Sequence, residues 1–300
     1  MALRERGRQL VSTAREKAGW IRTVLRRLIW GGQEVGFFRA IAGLATLVSL
    51  AVWRPSRTEV RTTTTRLRIA FNYPTQLMPL LVVFQEMLDP ELTMLHTLLG
   101  PGRIALDVGA SIGTWALCAA KTGAVVYACE PDSENFSMLK ENIVLNGFES
   151  SVLIYDFALG AGEGWSSTSQ RGRRYLTNVR LATDPTETNG KRIFSLDQFV
   201  RSAGIEHVDV LKINTAGCEA DVLAGCAELF SKERVGVAMF LDGLTIRPLL
   251  DGLKQFSYEL GFYDQRRRAF ISVETSSQLD GARPGPMNRY VLAKHSSVII

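Results

Sequence analysis

The run Ile104-Ala105-Leu106-Asp107-Val108-Gly109-Ala110-Ser111-Ile112-Gly113 constrains this chain more than any other. Three apolar residues lead into an acid, and two glycines four apart follow at once. The pattern predicts a buried parallel strand that breaks into a tight turn and opens a helix over 114–121. Lacking Cβ atoms, the glycines would let a ligand lie against bare backbone. Asp107 would accept hydrogen bonds from a ligand amine, while the helix N-terminus offers N–H donors and a favourable dipole. A ligand site is expected here, walled by Gly109, Ala110, Ser111 and Gly113.

Three chemistries share these ten residues. A dinucleotide fingerprint needs G-x-G-x-x-G, and Ser111 stands where the second glycine belongs. Gly109 to Gly113 also satisfies G-x-S-x-G, the hydrolase elbow that would make Ser111 a nucleophile. The third reading is D-x-G-x-x-x-G, the S-adenosylmethionine (SAM) turn of Rossmann-like methyltransferases. Downstream residues discriminate. Ala124 to Cys129 is an apolar run ending in Glu130-Pro131-Asp132, and an acid there can chelate two ribose hydroxyls. Asp156-Phe157-Ala158 follows a third run, Ser151 to Tyr155, and suits the edge and face of an adenine. A serine hydrolase has no use for these acids. It also needs a downstream histidine, and only His207 and His295 follow Ser111.

Taken in order, these motifs resemble the FkbM family of SAM-dependent methyltransferases, from about Leu98 to Lys294. The matching elements are Gly100-Pro101-Gly102, Asp107 to Gly113, Glu130-Pro131, Asn142 to Asn146-Gly147, Ala158-Leu159-Gly160 and Ser195-Leu196-Asp197. The family's closing K-I-D-V-E-G-A-E-x-x-V-L-x-G reads here as Lys212-Ile213-Asn214-Thr215-Ala216-Gly217-Cys218-Glu219 onward to Gly225. Asn214 and Ala216 stand where the family has aspartate and glutamate.

The resemblance implies a Rossmann-like class I α/β fold. Its doubly wound, mostly parallel seven-stranded sheet would end in a C-terminal antiparallel hairpin, with a helical extension at the N-terminus. The implied cofactor is SAM, held by Asp107, Gly109, Ala110, Ser111, Gly113, Glu130, Asp156, Phe157 and Ala158. The implied reaction is O-methylation of a small-molecule or glycan-type acceptor, a sugar-bearing or polyketide-type metabolite. Lys212, Asn214 and Glu219 are the catalytic candidates. Asn214 can orient a hydroxyl but cannot take its proton, so transfer is expected to be slow and proximity-driven, or to borrow a base such as Asp242. A degenerate member that binds SAM without transferring methyl is the alternative.

Other residues are read more modestly. Ser195 is expected to cap a short helix, with Asp197 in a structural role. Arg171, Arg173 and Arg174 form a basic cluster in a loop, either solvated or gripping an anionic acceptor. Strands are predicted at Asp209–Ile213, Val235–Leu241, Arg268–Val273 and Arg289–Ala293, the last two as the closing hairpin, with 160–191 left as specificity loops.

Charge is uneven. Residues 1–30 carry eight basic residues against Glu5 and Glu16, a net of +6, while the whole chain is +5. The remainder, at −1, lacks the basic face of a nucleic-acid-binding domain. The basic segment has helical apolar spacing, and Ala40 to Trp53 follows without a charge. A helix of those 14 residues spans about 21 Å, short of a bilayer's roughly 30 Å. It is expected to cap the fold, with shallow membrane contact through 1–53 as the alternative. Residues 54–65 read as a linker, which divides the chain into an extension, 1–59, and a catalytic domain, 60–300. A strand is expected from Arg66 to Phe71. Leu80 to Leu99 reads as helical, interrupted before Pro90 and covering the pocket. Four scattered cysteines and three histidines suggest a cytosolic protein with reduced thiols and no metal site.

Overall fold

The computed structural model describes residues 36–53, 55–62, 64–72, 81–83, 89–169, 178–182, 190–215, 217–285 and 287–300, besides Ile29 and Gln85. The basic segment before residue 29, the Arg171–Arg174 cluster and Ala216 lie outside these residues. In chain order the strands are β1 (Arg57–Arg61), β2 (Arg68–Asn72), β3 (Ile104–Val108), β4 (Val125–Cys129), β5 (Val152–Tyr155), β6 (Ala158–Gly160) and β7 (Gly164–Ser169). They continue with β8 (Asn178–Ala182), β9 (Arg192–Ser195), β10 (Val208–Ile213), β11 (Val235–Leu241), β12 (Tyr258–Asp264), β13 (Ala269–Val273) and β14 (Tyr290–His295). The helices that matter below are α1 (Phe37–Trp53), α2 (Thr114–Ala120), α3 (Ser133–Asn146), α4 (Leu196–Ser202), α5 (Glu219–Ala224) and α6 (Ala227–Ser231).

The main sheet runs β13-β12-β14-β11-β10-β3-β4-β5. Its parallel strands, β11 to β5, are rich in buried valine, alanine and leucine, as strands covered on both faces must be. Strand order turns between β3 and β10, so the carboxyl ends of these two strands flank the crevice where α/β sheets bind ligands. This is the Rossmann-like α/β architecture expected, with two corrections. Among the described residues the sheet has eight strands, because Tyr258–Asp264 forms a strand that Gly261 disguises in the sequence. The two tail strands do not pair with each other: β14 inserts antiparallel between β11 and β12, and β13 pairs with β12 at the edge.

Strands also fall within two stretches expected as linker and loops. Arg57–Arg61, inside the expected linker, pairs antiparallel with β2 and runs through the 59/60 boundary. Within 160–191, β7 pairs with β8 and β9 in a second sheet, order β6-β9-β7-β8.

Side-chain amides fasten the β1–β2 hairpin to the domain. Asn142 on α3 is fully buried; its Nδ2 donates to the carbonyls of Ala70 (3.0 Å) and Ile112 (2.8 Å), and its Oδ1 accepts from Ala70 N (2.7 Å). One turn later Asn146 Oδ1 accepts from Arg68 N (2.9 Å) and its Nδ2 donates to Arg68 O (2.7 Å). Four residues apart on a helix, the two asparagines imitate the ladder of a neighbouring strand. Gly147 ends the helix in left-handed conformation, φ 70°.

Candidate active site

The turn after β3 is laced to both flanking strands. Gly109 N and Ala110 N donate to the Cys129 carbonyl at the end of β4 (2.9 and 3.0 Å), and Asn214 N, just past β10, donates to Val108 O (3.0 Å). Gly109 has φ +77°, and a Cβ there would meet Asn214 O at 2.0 Å. The bare backbone expected to face a ligand is thus packed against the protein's own main chain. Gly113 precedes α2 and lies under Leu139. Ala110 is buried, and Ser111 holds φ +52°, an uncommon conformation for a non-glycine residue and one that marks a constrained turn.

Asp107 and Lys212 are register partners on β3 and β10. Lys212 Nζ donates to Asp107 Oδ1 and to the Gly109 carbonyl, each at 2.6 Å, and both side chains are almost wholly enclosed. Burial pushes the Asp107 carboxyl upward, with the lysine charge pulling against it. The pair ties the turn to β10, and the second Asp107 oxygen, Oδ2, is buried without a partner among the described residues. Glu219, at the start of α5, is likewise buried, accepting from Thr215 N (2.8 Å) and Gly217 N (3.0 Å). It shapes the loop after β10 and is not a free base. Asp242 is no better placed. Its carboxylate takes a bidentate grip from Arg247 (2.5 and 2.6 Å) and a further hydrogen bond from Arg283.

The three expected carboxylates differ in burial: Asp107 and Glu130 are enclosed and Asp156 is not. Asp156 is exposed and pairs with Lys191 (2.9 Å), and Phe157 joins an aromatic cluster with Tyr155, Phe194 and Phe199. Ala158 is buried in β6, away from solvent. Glu130 alone stays at the turn. Its Oε2 accepts from Ser111 N (2.7 Å) and its Oε1 from Asp132 N (2.9 Å), while burial pushes its carboxyl upward. Each oxygen keeps a lone pair, enough for two hydroxyls. Nearby, the Thr215 hydroxyl is buried without a partner among the described residues, its Cα 3.5 Å from where a Gly109 Cβ would stand. Glu130, Ser111 and Thr215 are therefore the residues that could hold a cofactor. Among the described residues no three histidine, cysteine, aspartate or glutamate side chains are placed to hold a metal.

Beyond the turn lies a polar cluster that sequence reading missed. Asn214 Nδ2 donates to the Tyr290 hydroxyl (3.0 Å) on the first residue of β14. Burial drives the Tyr290 phenol well up. From the segment ahead of β3, Glu91 Oε1 accepts from Arg289 N (2.9 Å) and Tyr290 N (3.2 Å), and Asp89 pairs with Arg289 (3.0 Å). This segment therefore packs against the start of β14. Desolvation lifts the Glu91 carboxyl from 4.5 to about 7, with Asp89 repulsion adding to it. Between those two values the folded chain holds a proton that the unfolded chain releases. The Glu91 contribution to stability is therefore fully present below pH 4.5, is lost as pH rises through 7, and amounts to about 3 kcal/mol at most. Asp107 and Glu130 shift in the same direction. Thermal melts from pH 5 to 8 should show this fall and a shallower one in Glu91→Gln; equal slopes would mean Glu91 folds as the anion.

Smaller expectations resolve cleanly. Ser195 caps α4 through a capping box with Gln198, and Asp197 accepts from Glu228 N and Leu229 N (2.9 and 3.0 Å) at the start of α6. His207 and His295 stand at the amino-terminal end of the parallel strands, away from Ser111 beyond the carboxyl end of β3, so neither can serve a hydrolase elbow there.

The chain is similar to several known proteins. A hexuronic acid methyltransferase, AglP of Haloferax volcanii, is 29% identical over 119 residues, 40% of this chain and 48% of that protein. The chain thus spans about half the length of this curated relative. Among solved structures, a methyltransferase FkbM from Methylobacillus flagellatus KT is similar at 16% identity and TM-score 0.42, over 76% of this chain and 56% of its own. A SAM-dependent methyltransferase from Agrobacterium tumefaciens is similar at 14% identity and TM-score 0.39, over 67% and 58%. The methyltransferase FkbM domain matches residues 107–270, more than half of the chain, which therefore belongs to that methyltransferase family.

Proposed function

We propose that this methyltransferase uses SAM to methylate a hydroxyl oxygen on a sugar-bearing or polyketide-type small molecule. The observation that carries the cofactor is Glu130 closed on the Ser111 amide, beside the unpartnered Thr215 hydroxyl. An acid with two spare lone pairs fits a ribose diol, and the hydroxyl and turn fit the polar amino-acid end. The relative named for a sugar acid supports a sugar-bearing acceptor.

SAM supplies a methyl group already activated by the positive charge on its sulfur. The residues here contribute placement. Asn214 and Tyr290, one at the end of β10 and one at the start of β14, offer an amide and a phenol to orient an acceptor hydroxyl. With Asp242 held by arginines, Glu219 by backbone amides and Lys212 by Asp107, none of them can take the acceptor proton. SAM held by Glu130 and Thr215 would supply the methyl group to that hydroxyl, whose proton would be lost to solvent. Alignment and exclusion of competing water supply the rate. The same lack of a base supports a second reading, a member that binds SAM without turnover.

Calorimetry tests the cofactor. Wild type should bind SAM and S-adenosylhomocysteine, and Glu130→Ala should weaken both by about tenfold or more, the loss of a charge-assisted hydrogen-bonding acid. Binding of neither ligand by wild type would remove the proposal. Turnover with a library of sugar hydroxyls separates the two readings, and Asn214→Asp should raise the rate if a carboxylate is what the site lacks.

A further inference from the structure

Helix α1 wears its apolar residues on the outside. At 100° per residue, Gly43, Leu47 and Leu50 share one arc. Gly43 is buried so closely that a Cβ would meet Val83 Cα at 2.9 Å, and Leu47 and Leu50 pack on the core. Phe38, Ile41, Leu44, Val48 and Val52 share the opposite arc and all stand in solvent, Phe38 at 85% and Val52 at 72% exposure. Trp53 closes the helix at 81%. A helix docked by one face should be polar on the other. Here Arg39 is the only charged residue in the helix and lies off the apolar arc.

Such a stripe needs a cover, and charge selects it. The +6 of residues 1–30 adjoins α1, while the rest of the chain is nearly neutral. A second copy would bring another +6 beside the first, whereas an anionic leaflet gains from each added cation. Length agrees: 17 residues reach about 25 Å, and no described helix is long and apolar enough to cross a membrane. Aromatic rings at both ends suit the depth of lipid headgroups.

The geometry points to α1 as a docking face for an anionic lipid surface, lying in its plane with Phe38, Ile41, Leu44, Val48, Val52 and Trp53 inserted. The sheet and its crevice stay in water, and the inference does not depend on the cofactor or acceptor.

Vesicle flotation of the full chain tests it. Vesicles of equal parts phosphatidylcholine and phosphatidylglycerol should carry the protein, phosphatidylcholine alone about tenfold less, and added salt should release it. Ile41→Glu/Val48→Glu should bind about tenfold more weakly or worse with an unchanged melting temperature, since both side chains are already exposed. Wild type ignoring the anionic vesicles, equal binding to both vesicle types, undiminished binding by the variant, or a dimer that the variant splits without any lipid binding would each overturn the proposal.

Discussion

Lys212→Met should destabilise the protein by about 3–5 kcal/mol, the cost of leaving a buried carboxylate without its partner. The pair lies between two central strands, with no solvent to take over the Asp107 charge. The Gly109 carbonyl loses its donor in the same substitution. Because burial already pushes Asp107 toward its neutral form, the lone acid should fold protonated. The penalty should therefore grow as pH rises. Asp107→Asn/Lys212→Met removes the uncompensated charge and should recover most of the loss, as replacing both members of an enclosed pair often does. Urea unfolding of the three proteins at pH 5 and pH 8 measures this directly. A single-variant loss below about 1 kcal/mol would show that the pair contributes no more than a surface one.

Gly109→Ala should abolish cofactor binding, by about a hundredfold or more, while other turns of comparable φ would tolerate alanine. Two penalties combine. A left-handed φ of +77° costs an alanine about 1 kcal/mol. The larger one is the 2.0 Å approach to Asn214 O, which no side chain can relieve because the obstacle is main chain. Either the turn lifts off Cys129 O, or the loop after β10 is driven outward with Asn214 and Thr215. Both movements dismantle the surface that Glu130 and Thr215 share. Calorimetry with SAM reads the loss, and the Asn214–Tyr290 contact should break with it. Wild-type affinity in this variant would mean that the turn is not part of the binding surface.

What could be read in the chain follows from how far apart interacting residues lie. The β3–turn–α2 unit was legible because its causes are local: a buried strand demands an apolar run, and positive φ at Gly109 and Gly113 favours glycine. Val235–Leu241 and the Ser195 cap were legible for the same reason. Lys212 was not. A lysine at a strand end reads as a candidate reacting group, and only its register opposite Asp107, 105 residues away, turns it inward. Glu219 misled similarly, since a helix-start acid gives no sign that it will fold back onto Thr215 and Gly217. Tyr290 and Glu91 needed a contact across 199 residues. Asp156 followed the rule for strand-end acids, yet Lys191 draws it outward.

The paired asparagines of α3 have a consequence for where the cooperative unit starts. Asn142 satisfies Ala70 on one side and Ile112 on the other, so the hairpin and the ligand turn are fastened through one carboxamide. Deleting the hairpin would strand a buried amide, and keeping the hairpin without the asparagine would strand the hairpin's own main chain. Each is useful only while the other persists, so the fold is held by a hairpin that lies well upstream of residues 107–270, by which its family is recognised.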